Sequence, residues 1–90
     1  MIKVIYTDEF VKTYSKLSLV IQKKAEKQEK IFTNNPFHSS LNTEKLQPKD
    51  KNVWSFRIDK SYRIIFRFID GNTVLFLTVG PHDWIYKIKF

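Results

Sequence analysis

The chain has no cysteine and only two glycines, three prolines and two histidines. Each scarcity removes a class of protein. Without cysteine there is no disulfide staple and no thiolate metal site, a composition that suits a reducing, cytoplasmic setting. Two glycines cannot build a glycine-rich phosphate loop. His38 and His82 stand apart from each other among scattered carboxylates, so no metal-ligand cluster is legible. No nucleophile elbow frames a serine. No apolar run approaches the roughly 20 residues of a membrane span. The stretch from Met1 to Asp8 is too short in apolar residues, and too interrupted by charge, for a signal peptide. Neither a metal, nor another cofactor, nor a membrane is therefore expected.

What the chain does have is aromatic bulk and positive charge. Ninety residues leave room for one hydrophobic core, so one domain over residues 1–90 is expected. Aromatic side chains make up 16% of it, which gives a short chain much buried area per residue. The formal net charge of +7 favours an anionic partner: nucleic acid, a membrane surface or an acidic protein.

Along the chain the hydrophobic period changes twice. Ile2, Val4 and Tyr6 alternate as in a short strand. Thr7 offers a helix N-cap, with Asp8 and Glu9 well placed in the first turn, and Phe10, Val11, Tyr14 and Leu17 recur at helical spacing over about residues 8–16. Ser18 offers a second cap. From Leu19, the residues Ile21, Ala25, Gln28 and Phe32 mark one face of a second helix, and Lys23, Lys24, Lys27 and Lys30 mark the other. Asn34-Asn35-Pro36 stops it. Two helices so closely joined form an antiparallel hairpin. Residues 34–52 are the least regular part, anchored by Leu41 and Leu46, with Lys49 to Asn52 as an exposed turn. From Val53 the period becomes two. Trp54, Phe56 and Ile58 alternate with Ser55, Arg57 and Asp59. In Tyr62 to Ile69, the residues Tyr62, Ile64, Phe66 and Phe68 share one face, and Arg63, Ile65, Arg67 and Ile69 the other. Asp70-Gly71-Asn72 is a hairpin signal, and Thr73 to Val79 is a third strand ended by Gly80-Pro81. The tail to Phe90 suits a short helix or an edge strand. The order is β-α-α-β-β-β, an α+β fold: an antiparallel sheet, the N-terminal strand in it, with the helical hairpin packed on one face.

Two constellations carry chemistry. The first is Arg57, Arg63 and Arg67 beside Trp54, Phe56 and Tyr62. If the helices cover the aromatic face, the arginines line the open one. Guanidinium groups grip phosphates bidentately and rings stack on unpaired bases, so such a face suits RNA. A merely solvated outer face fits the same pattern. The second is Gly80-Pro81-His82-Asp83-Trp84-Ile85-Tyr86. His82 is the residue type that exchanges protons near neutral pH. Tyr86 suits phosphate orientation or stacking, and Asp83 suits orienting His82 or capping a final turn. The alternative is a C-terminal plug with Trp84, Tyr86 and Phe90 as core. The lysine face of the second helix suits solvent, an acidic protein or rRNA equally.

Taken together, Trp54-Ser55-Phe56-Arg57-Ile58, Tyr62-Arg63-Ile64-Ile65-Phe66-Arg67, and Val74 to Gly80 followed by His82-Asp83 and Tyr86 resemble the C-terminal half of the RelE/ParE toxin superfamily. Phe10-Val11-Lys12 to Leu17 resembles that family's first helix. The likeness covers nearly the whole chain and is specific over residues 53–86. It implies the β-α-α-β-β-β fold and a toxin of a type II toxin–antitoxin system, held by a cognate antitoxin protein and meeting operator DNA only through that complex. In the RelE branch it implies a metal-independent endoribonuclease, an mRNA interferase that cuts mRNA on the ribosome with the substrate's own 2′-hydroxyl as nucleophile. By resemblance Arg63 stabilises the phosphate, Arg57 supplies charge one strand earlier, His82 is acid or base, and Tyr86 stacks or orients. Arg67, Lys60 and Lys87 are the expected RNA contacts. The chain departs from the family where active members carry lysines before the Tyr-Arg motif. Here that strand offers outward only Ser55 and Arg57, with Lys60 just beyond. The ParE branch, which inhibits DNA gyrase, and a weak relative that only binds antitoxin remain alternatives.

Overall fold

The computed structural model describes residues 1–85. The elements are β1 (Lys3–Tyr6), α1 (Asp8–Ser15), α2 (Leu19–Asn34), β2 (Glu44–Lys45), β3 (Trp54–Arg57), β4 (Tyr62–Phe68), β5 (Thr73–Pro81) and α3 (His82–Ile85). Short 3-10 turns lie at Ser39–Leu41 and Lys49–Lys51.

Both expected N-caps form. The Thr7 hydroxyl accepts from the Phe10 N–H, and the Ser18 hydroxyl from the Ile21 N–H, each satisfying a donor that the first helical turn leaves open. The two helices then bind each other through Gln22. Its Nε2 donates to the carbonyls of Tyr14 and Leu17, and the Tyr14 hydroxyl donates to the Gln22 carbonyl. The Tyr6 hydroxyl donates to Glu29, joining β1 to α2. Partial burial, then this carboxylate, push the Tyr6 phenol above its ordinary range.

The fold is α+β as expected, but the sheet is mixed rather than wholly antiparallel. Its order is β1-β5-β4-β3-β2, and β1 runs parallel to β5. The β3–β4–β5 meander is antiparallel. The reason is topological: β4 occupies one side of β5, and only the other side is left for β1. Parallel neighbours need a long crossover, which the helices and the meander supply. Thr7 holds the junction, its N–H and hydroxyl both reaching the Phe76 carbonyl at 3.2 and 2.8 Å. A fifth strand, β2, appears in the segment that reads as irregular. It is two residues long and pairs with Ser55 and Trp54.

Phe32 of α2 is fully buried at the centre of the helix-covered face. Its ring lies 4.6 Å from that of Phe56, 4.9 Å from Phe66 and 5.6 Å from Phe76. Ala25, also buried, lets α2 sit close to the sheet. Leu41 joins this core. The opposite face, expected to be open, is not. Leu46, Val53 and Ile65 form a second apolar cluster there, with Leu77 against it, and Ser55 is fully buried. The irregular segment supplies Leu46, and Val53 follows just before β3; together they remove apolar surface from water that the strands alone would expose. Leu77 is the unpaired residue where the β4–β5 register slips beside Ile65 and Phe66. No helix among the described residues is long and apolar enough to cross a membrane.

Candidate functional site

The site is built around the β3–β4 turn. Asp59 organises it. One carboxylate oxygen accepts the N–H groups of Ser61 and Tyr62 at 2.8 and 3.0 Å, and the other meets Lys24 of α2 at 3.4 Å. Burial alone would raise this carboxyl, but the two N–H donors and the ammonium outweigh it and hold the group below the usual carboxylate range. The turn so closed aims two carbonyls at Arg63. Its Nη1 donates to the Asp59 carbonyl at 2.7 Å and to the Tyr62 carbonyl at 3.0 Å.

Strand pairing gathers the other cations. Arg57 stands directly opposite Arg63, and Arg63 stands opposite Gly80 on its other side. The His82 N–H donates to the Ser61 carbonyl at 2.7 Å, so α3 starts against the same turn. The His82 ring is 39% exposed, with Nδ1 3.5 Å from the Asp83 carboxylate. Arg57, Lys60, Arg63 and His82 therefore meet at one end of the sheet. Gly80 is buried beneath Trp84: a Cβ there would stand 2.3 Å from the Trp84 ring. The glycine is what allows α3 to fold back at this point.

Other expected residues fall elsewhere. Arg67 faces Leu75, four residues along β4 from Arg63, a separation of roughly 13 Å. Its Nε is buried without a hydrogen-bond partner among the described residues. Tyr86 and Lys87 lie outside the described residues, as does Phe90. Arg63, expected on an open face, is only 8% exposed. Ser55, at the outward position before the Tyr-Arg motif, is buried with its hydroxyl unpaired among the described residues.

Two lysines gain a place that the sequence alone does not give them. Lys24 and Lys27 of α2 face Arg57, Lys60 and Ser61 across a cleft of about 610 Å³, also lined by Gln28, Ser40, Ile58 and Asp59. Gln28 ties its walls together, donating through Nε2 to the carbonyls of Arg57 at 2.9 Å and Ser40 at 3.2 Å. The i, i+3, i+4 spacing of Lys24, Lys27 and Gln28 was the available signal, since it puts all three on one side of a helix. Such a cluster can hold anionic oxygens. Among the described residues no three histidine, cysteine or carboxylate side chains converge to hold a metal ion.

A family model described as a RelE-like toxin of the type II toxin–antitoxin system HigB matches residues 6–82. No curated protein sequence matches significantly. Among solved structures, the chain is similar to one in the toxin–antitoxin complex RelBE2 from Mycobacterium tuberculosis, with a TM-score of 0.74 and 20% identity over 90% of this chain and 98% of that one. It is similar to one in the RelB–RelE complex from Methanococcus jannaschii, with a TM-score of 0.72 and 21% identity over 92% and 95%. It is also similar to one in the DinJ–YafQ complex from E. coli, with a TM-score of 0.72 and 14% identity over 96% and 99%. At these identities the structures share the fold.

Proposed function

Because the chain belongs to the HigB-like family of RelE-like toxins of type II toxin–antitoxin systems, we propose that it is a ribosome-dependent mRNA endonuclease. In this reading the 2′-hydroxyl of one nucleotide attacks its own 3′-phosphorus. The bond from phosphorus to the next nucleotide's 5′-oxygen breaks. A 2′,3′-cyclic phosphate and a free 5′-hydroxyl result. One proton leaves the 2′-oxygen and one reaches the 5′-oxygen, so nothing else is consumed.

The observation that carries the proposal is the convergence of Arg57, Lys60, Arg63 and His82 at one end of the sheet. The reaction adds negative charge to the phosphorus centre, and fixed cations stabilise it without having to reorganise. Arg63 is held in place by the Asp59 and Tyr62 carbonyls. Arg57 presents a second guanidinium from the neighbouring strand. His82, partly exposed at the start of α3, is the group to move a proton. Tyr86 is assigned to stacking or orienting the substrate, and Lys87 and Arg67 to RNA contacts, on the family resemblance alone. The neighbours solved with RelB and DinJ support a cognate antitoxin as the protein partner.

The test is a cell-free translation reaction on a defined mRNA, with cuts mapped by primer extension. Cuts that need ribosomes and fall about 100-fold in Arg57→Ala are expected. Intact mRNA at protein concentrations matching the ribosomes would overturn the reading, and a gyrase supercoiling assay would then examine the ParE-like alternative.

A further inference from the structure

We infer that the cleft between α2 and the β3–β4 turn is a binding subsite for the phosphate backbone of single-stranded RNA, adjoining the reacting centre and blind to base identity; this rests on the nuclease reading above. The charge balance is the first reason. Among the described residues, Lys24, Lys27, Arg57 and Lys60 line the cleft against one carboxylate, Asp59. That carboxylate is already satisfied by the Ser61 and Tyr62 N–H groups and by Lys24. Lys27, Lys60 and the Arg57 side chain, three of the lining cations, have no acceptor among the described residues. The second reason is size. About 610 Å³ lies within the range of pockets that bury small ligands, and it admits a nucleotide unit.

The lining decides what is read. Among the described residues that line it there is no aromatic side chain, and Ile58 is the only large apolar one. A base would find no ring to stack on among these residues, whereas phosphate oxygens would find ammonium, guanidinium and hydroxyl donors. Continuity decides the occupant. Arg57 lines the cleft and also stands opposite Arg63, so one strand can run from the cleft onto the candidate centre without a gap. Gln28 fixes the spacing by bonding both walls.

The test uses the full chain and a fluorescent 2′-O-methyl oligoribonucleotide of about twelve residues, which binds but lacks the nucleophile. Anisotropy is read across a salt series for the wild type, for Lys27→Ala/Lys60→Ala, and for Lys23→Ala/Lys30→Ala on α2 outside the cleft. The cleft variant is expected to bind about tenfold more weakly, with a salt slope smaller by about 1.4, or about 0.7 for each lost phosphate contact. The control variant and changes of base sequence are expected to leave both values unchanged. Wild-type affinity and slope in the cleft variant would overturn the inference, as would no binding by the wild type. So would loss of affinity only for an acidic peptide, which would give the cleft to a protein partner. Lysine-dependent binding without ribosome-dependent cleavage would sustain the cleft and remove the nuclease reading. Cleavage without lysine-dependent binding would do the reverse.

Discussion

Arg57 and Arg63 face each other across neighbouring antiparallel strands, like charge against like. Such a pair destabilises a sheet, by roughly 0.2–1 kcal/mol.

The first prediction follows directly. Arg57→Gln is expected to raise the melting temperature by about 1–5 °C while lowering ribosome-dependent cleavage. Calorimetry and primer extension on the same preparation check it. A variant that melts lower would show that Arg57 is held by contacts more favourable than its repulsion from Arg63.

Arg63 behaves differently because it is buried and donates to two carbonyls. Arg63→Ala leaves the Asp59 and Tyr62 carbonyls without this donor. It is expected to cost about 1–3 kcal/mol, visible as a melting temperature lower by roughly 5–15 °C. Loss of activity in that variant therefore reads folding and chemistry together. Arg63→Lys, which keeps the charge but not the planar fork, is expected to keep more stability than Arg63→Ala and still to lose cleavage. An unchanged melting temperature in Arg63→Ala would contradict the buried placement.

Asp59 makes stability depend on pH. Its folded carboxyl titrates below the usual range, so the unfolded chain binds the proton more readily. Its contribution is therefore full above the ordinary aspartate value, about pH 4, and is lost as pH falls through the lower, folded value. Asp59→Asn is expected to flatten that acid limb in urea titrations between about pH 5 and 2. An acid limb of equal slope in both proteins would remove Asp59 from this role.

Gly80 is predicted to tolerate no side chain. Gly80→Ala pushes a methyl group to within 2.3 Å of the Trp84 ring, which must move and carry α3 with it. A cost of about 1–3 kcal/mol and a changed tryptophan emission are expected, together with reduced cleavage through displacement of His82. Adding Trp84→Leu to Gly80→Ala should recover stability. If it does not, the clash lies elsewhere.

Much of the architecture was legible because it is local. The hydroxyls of Thr7 and Ser18 cap helices within three residues of themselves. The period of two in Trp54 to Phe56 and Tyr62 to Phe68 reports strands regardless of their neighbours. The Asp70 carboxylate closes its hairpin on the Asn72 N–H two residues away. Local residues also placed Arg57 and Arg63 on one face of the sheet.

Tertiary structure alone decided what depends on distant segments. That β1 lies parallel to β5 follows from which edge the meander leaves vacant. The burial of the arginine face follows from Val53 and from Leu46, whose loop carries no periodic signal. The basic cleft joins Lys24 and Lys27 to Lys60 across more than thirty residues of sequence. Charge along a helix announces a solvated face, and only the packing of α2 beside the Asp59 turn brings that charge to the end of the sheet where Arg57 and Arg63 meet. Hydrogen bonds and periodicity act over a few residues, so sequence by itself determined the elements; burial and electrostatics act through space, so the fold determined the site.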